Sequence, residues 1–288
     1  MNKTGSVKFG ILWNSLQQFG QLGITFVSTI ILARLLTPED YGIYGILMIF
    51  ISVSEMLADS GIAGYIIKKQ NVTPIYYDTL FVYNMCVSGI MYLFLFFSAP
   101  FIADFYEKEM LISVIRILGL VLLLHAFSIT QFTRLLKDLQ FHKLALISIV
   151  AGVAALCVAL LLAYRGLGIW ALIFQQLVLV ALTTILYLVV NRRIPHFRFD
   201  MRVFKEQFAF GINLFGSSVL MAITNNIGNN IIAKIFSMNI AGLYVQAVRL
   251  QNYPLSMVSN VVDKTFFPIF SKMNDDWRLL KEQICKLR

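Results

Sequence analysis

Four charged residues stand alone inside long uncharged stretches of this chain: Glu55, Asp59, Arg116 and Arg249. Glu55 and Asp59 are four apart, so on a helix they share one face, where they could hold a proton or cation or pair with a basic neighbour. Arg249 heads a polar face at helical spacing with Asn252, Ser256 and Ser259, on a segment kinked by Pro254. A guanidinium far from water suits a phosphate, which it grips with two parallel hydrogen bonds. The plainer role for Arg249 is a structural pair with Glu55 or Asp59. Arg116 lies about two turns from the end of its stretch, where its side chain either meets a substrate or snorkels to an interface.

Two further groups could bind without reacting. Asn14, Gln17, Gln18 and Gln21 cluster near the start, and Asn213, Ser217, Asn225, Asn226, Asn229 and Asn230 near residue 220. Carboxamides both donate and accept, which suits sugar hydroxyls, and the same groups glue helices together in lipid. His125 reads as a satisfied intramembrane histidine, and His142 and His196 as loop residues. Cys86, Cys157 and Cys285 have no spacing for a disulfide or metal site. The residues assemble no catalytic set and call for no cofactor. A membrane polymerase or glycosyltransferase needs a sizeable loop with paired carboxylates or a metal-binding acidic motif. The longest loop on the less basic side, DFYEKEM, is too short for one.

The elements that must position these residues follow from where charge is missing. The 288 residues are 58% hydrophobic and 14% charged, with 24 Phe, more apolar surface than a soluble domain can bury. Charges cluster between eight runs of roughly 20 to 28 residues, each long enough to span a bilayer. In ILARLLTPEDYGIYG, Arg34 ends one run, Thr37-Pro38-Glu39-Asp40 turns the chain, and the next begins. Alternate loops collect 18 of the 24 basic residues, so the positive-inside rule places the N-terminus, and after eight spans the C-terminus, in the cytoplasm. The net charge of +9 is accounted for by topology and anionic lipid headgroups, without nucleic acid. The first run is too long for a signal peptide and reads as a retained helix.

The chain also repeats itself at an offset of 200. Leu32-Ala33-Arg34-Leu35-Leu36-Thr37 matches Ile232-Ala233-Lys234-Ile235-Phe236-Ser237, and Gly42-Ile43-Tyr44 matches Gly242-Leu243-Tyr244. The seventh span is then the counterpart of the first, crossing in the same direction, with an axis along the membrane normal. The expected fold is an all-α polytopic membrane protein: a six-helix bundle at 1–190, a basic cytoplasmic linker at 191–206, the first two helices of a second, pseudo-two-fold-related bundle at 207–270, and a charged tail at 271–288. Two spans where six are due make the chain a fragment of a 12 to 14 helix transporter.

Three segments, ILARLLTPEDYGIYG, LADSGIAGYIIKK and NNIGNNIIAKIFSMNIAGLY, with FFPIFSKMNDD, resemble the polysaccharide transporters. These are flippases for lipid-linked oligosaccharides, within the superfamily that also holds the multidrug and toxin extruders. The resemblance covers essentially the whole chain. It implies two six-helix bundles around a central cavity and, as substrate, undecaprenyl pyrophosphate carrying a sugar repeat unit. It further implies alternating access in the bacterial inner membrane, for O-antigen, capsule or exopolysaccharide synthesis, beside a polymerase and glycosyltransferases. Asn229 stands where relatives usually place an Asp, which puts cation coupling through that position in doubt. On this reading Arg249, Arg116, Asn14, Gln17, Gln21, Asn225, Asn226, Asn229 and Asn252 face substrate, and Glu55 and Asp59 are an ion-coupling site or a structural ion pair. The alternatives are a multidrug extruder of the same fold, a peptidoglycan-precursor flippase, a membrane polysaccharide polymerase or glycosyltransferase, and a non-transporting scaffold.

Overall fold

The computed structural model describes residues 3–59, 61–252 and 255, and the side chains of most of them; Asn14, Asp59, Asn213 and Ser217 are described by backbone alone. Among the described residues every element is a helix: α1 (Lys3–Leu35), α2 (Pro38–Asp59), α3 (Ile62–Lys68), α4 (Pro74–Tyr106), α5 (Met110–Lys137), α6 (Phe141–Tyr164), α7 (Ile169–Asn191) and α8 (Met201–Ile235). A ninth, α9, begins at residue 238 and is described to residue 252. Among the described residues six segments are long and apolar enough to cross a membrane: Ser15–Leu35, Pro38–Leu57, Pro74–Tyr106, Met110–Lys137, Phe141–Tyr164 and Ile169–Asn191. They are the first six expected spans. The seventh lies within α8. The eighth continues beyond residue 252, and Pro254, Ser256, Ser259 and the tail lie outside the described residues.

Charge and turn chemistry set the helix ends. The Thr37 hydroxyl accepts from Asp40 N–H at 3.3 Å, while the Asp40 carboxylate accepts from Thr37 N–H at 3.0 Å, a reciprocal cap on α2. At the same place in the repeat, Ser237 accepts from Ile240 N–H at 3.3 Å and caps α9. Leu36 N–H closes α1 on Leu32 O at 2.9 Å, and Phe236 N–H closes α8 on Ile232 O at 3.0 Å. The sequence repeat is therefore a repeat of local structure.

The run from Asp40 to Lys68, expected as one span, is broken. Gly61 takes φ +69°, a left-handed turn that a side chain would oppose, and the chain re-enters a short helix, α3. A Cβ there would also press on the Gly211 backbone of α8.

Packing follows the small residues. Ala151, Ala155, Ala159 and Ala163 repeat every fourth position on α6 and are all buried, which lets neighbouring helices approach closely. The main core joins Ile46, Leu47 and Ile51 of α2 to Leu95 and Ala99 of α4, Leu111, Val114 and Leu118 of α5 and Ile173 of α7. Outside it the pattern inverts. On α4, Phe94, Phe97, Phe101 and Phe105 are more than half exposed, Phe101 to 76%. In water such a stripe would drive aggregation; in lipid it is an ordinary outer surface. The protein is a multi-pass membrane protein.

The chain forms two compact units, Met1–Val245 and Gln246–Arg288. Within the first, α8 packs against α2, α3 and α4. The basic end of this unit is tied together by polar contacts. The buried Asp78 carboxylate accepts from His196 N–H at 3.1 Å, and Thr79 Oγ1 accepts from Asp200 N–H at 3.2 Å, pinning the segment between α7 and α8 beneath α4. Asp200 in turn caps α8, accepting from Arg202 and Val203 N–H.

Candidate functional site

Inside the first unit α1, α2, α3, α5, α6 and α7 enclose a cavity of about 600 Å³. Its polar wall is built one helix at a time. Gln17 and Gln21, four apart, present one face of α1; Glu55 comes from α2; Ser148 comes from α6. On α5, His125, Ser128, Ile129, Phe132 and Thr133 follow the spacing of a single helical stripe, as do Gln176, Leu179, Val180, Thr183 and Tyr187 on α7. The wall is mixed: carboxamides and hydroxyls lie beside the Phe132 and Tyr187 rings, whose centroids are 6.3 Å apart.

The amides are held in place. Gln17 Nε2 donates to Ser148 Oγ at 3.1 Å, joining α1 to α6, and about three turns further along α1 Gln175 Nε2 donates to Ser28 Oγ at 2.8 Å, joining α7 to α1. Both pairs use one donor and leave the amide oxygen able to accept. Glu55 is the only carboxylate among the described lining residues, near enough to His125 for their charges to interact. Neither forms a hydrogen bond or ion pair with a described residue, so the histidine expected to be satisfied within the protein instead faces the cavity beside an acid.

The other expected site residues fall elsewhere. The half-buried Arg116 guanidinium sits 4.3 Å from the Phe96 ring centroid with Nε buried, so the side chain stacks on that ring. No described lining residue comes from α8, so its amides do not face those of α1 across this cavity. Asn229 is buried between helices: in the amide orientation that satisfies both groups, its nitrogen donates to Ala241 O at 3.0 Å and its oxygen accepts from Ile46 N–H at 3.1 Å. Asn230 accepts from Tyr106 Oη at 3.0 Å, and Asn226 donates to Ala222 O at 2.8 Å. Asn225 is exposed. Arg249, half-buried, and Asn252, exposed, belong to the second unit. Asn14 lies one turn before Gln17 and Asp59 one turn after Glu55, their side chains outside the described residues.

His125, Ser128, Thr133, Ser148, Gln176, Thr183 and Tyr187 were not singled out as ligands from the sequence. They are scattered among apolar residues on long helices. The available signal was the i, i+3, i+4 spacing on α5 and α7, which also describes ordinary packing.

A family of polysaccharide biosynthesis proteins matches residues 31–287, and the chain belongs to it. Among its relatives are the succinoglycan biosynthesis transport protein ExoT of Rhizobium meliloti, 26% identical over 92% of this chain and 53% of that protein, and the teichuronic acid biosynthesis protein TuaB of Bacillus subtilis, 25% identical over 97% and 58%. The lipopolysaccharide biosynthesis protein WzxC of Escherichia coli is 24% identical over 96% of this chain and 57% of its own length. The chain thus spans a little over half the length of these relatives. No solved structure matches it.

Proposed function

We propose that the protein acts in the export of polysaccharide units, as a flippase that carries undecaprenyl-pyrophosphate-linked oligosaccharide across the bacterial inner membrane by alternating access. The observation that carries this reading is the cavity of Gln17, Gln21 and Gln176 inside a six-helix bundle, in a chain whose relatives are named for transport or for polysaccharide synthesis. Sugar hydroxyls leaving water need partners that both donate and accept, and such groups cost several kcal/mol each when left bare in a bilayer. The amides supply those partners while the polyprenyl chain stays in lipid. No bond is made or broken, so the protein is not an enzyme.

In this reading residues 1–190 form the first bundle, 191–206 a cytoplasmic linker, and 207–270 the first two helices of its counterpart, with both termini in the cytoplasm. Arg249, with Arg116 and Asn252, meets the pyrophosphate. Asn14, Gln17 and Gln21 meet sugar, as do Asn225, Asn226 and Asn229 from the second bundle. Glu55 and Asp59 provide a proton or cation site. A polymerase and glycosyltransferases of one pathway act beside it.

One observation favours the second reading, a multidrug extruder: the cavity is acidic and aromatic, with Glu55, Phe132 and Tyr187 in its wall. Deleting the gene in its native host separates the two. Loss of surface polysaccharide with accumulation of the lipid-linked unit inside the cell supports the flippase, whereas intact polysaccharide with new sensitivity to lipophilic cations supports the extruder and overturns it.

A further inference from the structure

Building on the flippase reading, we propose that the cavity in the first unit selects uncharged sugar residues and rejects acidic ones. Its described lining contains three carboxamides, five hydroxyls, one carboxylate and one imidazole, with neither Lys nor Arg. An imidazolium at His125 could do no more than neutralise Glu55 beside it. The described lining is therefore neutral or negative and offers an anion no counter-charge.

The two guanidiniums of α5 lie outside its described lining. Arg116 stacks on Phe96, and Arg134, at the basic end of α5, lies 4.6 Å from the Tyr77 ring centroid; neither lines the cavity. A uronate or other acidic sugar entering here must shed its water shell without a cation to replace it, and Glu55 repels it further. A neutral sugar loses only hydroxyl and acetamido hydration, which Gln17, Gln21 and Gln176 can replace group for group. Phe132 and Tyr187 give its apolar ring face a surface. At about 600 Å³ the space lies within the range of small-molecule sites, so it holds part of a repeat unit. On this account the charge of the sugars, more than their linkage, determines which repeat units the protein accepts, and the pyrophosphate binds at a separate cation.

The test uses the full chain in lipid nanodiscs and titrates two probes, N,N′-diacetylchitobiose as the neutral disaccharide and a disaccharide containing glucuronic acid as the acidic one, followed by calorimetry. The neutral probe should bind saturably and the acidic one at least about tenfold more weakly. Gln176→Arg should raise the acidic probe at least about tenfold relative to the neutral one; where that variant does not fold, Gln21→Lys makes the same exchange. Equal or tighter binding of the acidic probe to the unaltered protein would overturn the selectivity and leave the sugar-binding reading standing. Failure of both probes to bind would overturn the sugar-binding reading of this cavity and the selectivity with it.

Discussion

Gly42 of α2 and Gly242 of α9 face each other across one helix crossing, each against the backbone of the other's repeat. A Cβ on Gly42 would overlap the Met238 carbonyl, and a Cβ on Gly242 the Pro38 carbonyl. Pro38 and Met238 are themselves related by the offset of 200, so the contact is reciprocal, as in an interface formed about a two-fold axis. The sequence repeat and the packing thus express one symmetry, and glycine is required at both places because backbone meets backbone.

Gly42→Ala and Gly242→Ala should each destabilise the protein by about 1–3 kcal/mol, the usual cost of overpacking a tight contact. Since the two sites touch, the double variant should cost clearly less than the sum. Gly23→Ala, with nothing within 4 Å of its added Cβ, should be near neutral. Thermal unfolding in detergent checks all four. Strict additivity would argue against a shared contact.

Asn229 joins α2, α8 and α9 through two backbone groups, so Asn229→Leu leaves a buried donor and a buried acceptor with fewer partners and should cost about 1–3 kcal/mol. Asn229→Asp keeps the acceptor for Ile46 N–H but loses the donor to Ala241 O, and at neutral pH buries a charge. It should be no more stable than the leucine variant. An aspartate variant as stable as the native protein would contradict this bridging role.

At the basic end, Glu206 Oε2 accepts from Lys69 Nζ at 3.0 Å, Tyr65 Oη at 3.0 Å and Tyr76 Oη at 3.1 Å, linking α8 to α3 and α4. The hydrogen bond from Lys69 leads those that hold the Glu206 carboxyl below its usual range, and bonds to Tyr76 and then Glu206 hold the Lys69 ammonium above its own. A depressed carboxyl stabilises above its unfolded pKa and loses that contribution as pH falls through the folded value. A raised ammonium keeps its contribution until pH climbs through its own folded value. The latch should therefore be intact from mildly acidic through moderately alkaline pH. The melting difference between the native protein and Glu206→Gln should be present at neutral pH and shrink progressively as the pH falls below the ordinary carboxylate range. A difference that persists in acid would rule the latch out.

Asp78→Ala removes the acceptor for His196 N–H from a buried site and should cost about 1–3 kcal/mol. It should also free the linker for trypsin at Arg193 and Arg198. Unchanged cleavage would show that Thr79 and Gln131, which bind Asp200 N–H and the Arg193 carbonyl, hold the segment alone.

The first six spans were legible because each loop carries charge that the bilayer excludes, and the Thr37 and Ser237 caps because turn chemistry is local. The break at Gly61 was legible only as an acidic-Gly end of the second span in LADSGIAGYIIKK; the short helix α3 that follows it was not, since Ile62–Lys68 continues the same apolar run. Gln17 and Gln21 were legible as a polar pair on one face. Gln176 and Ser148 were not, because a single amide or hydroxyl on an apolar helix acquires meaning only when distant helices bring it to the same cavity. The α8 amides show how packing sorts a dense polar run: Asn226 and Asn229 bond within and between helices, while Asn230, bonded to Tyr106, also lines a second cavity beside Phe50 and Phe94.

The central claim is that substrate enters the cavity beside Gln21. In membranes carrying Gln21→Cys in a background with Cys86, Cys157 and Cys285 replaced by serine, a small maleimide should label the cavity position. Undecaprenyl-pyrophosphate-linked oligosaccharide should slow that labelling at least about fivefold, while labelling of Arg165→Cys in the exposed turn between α6 and α7 stays unchanged. Equal labelling of Gln21→Cys with and without the lipid-linked sugar would contradict the account.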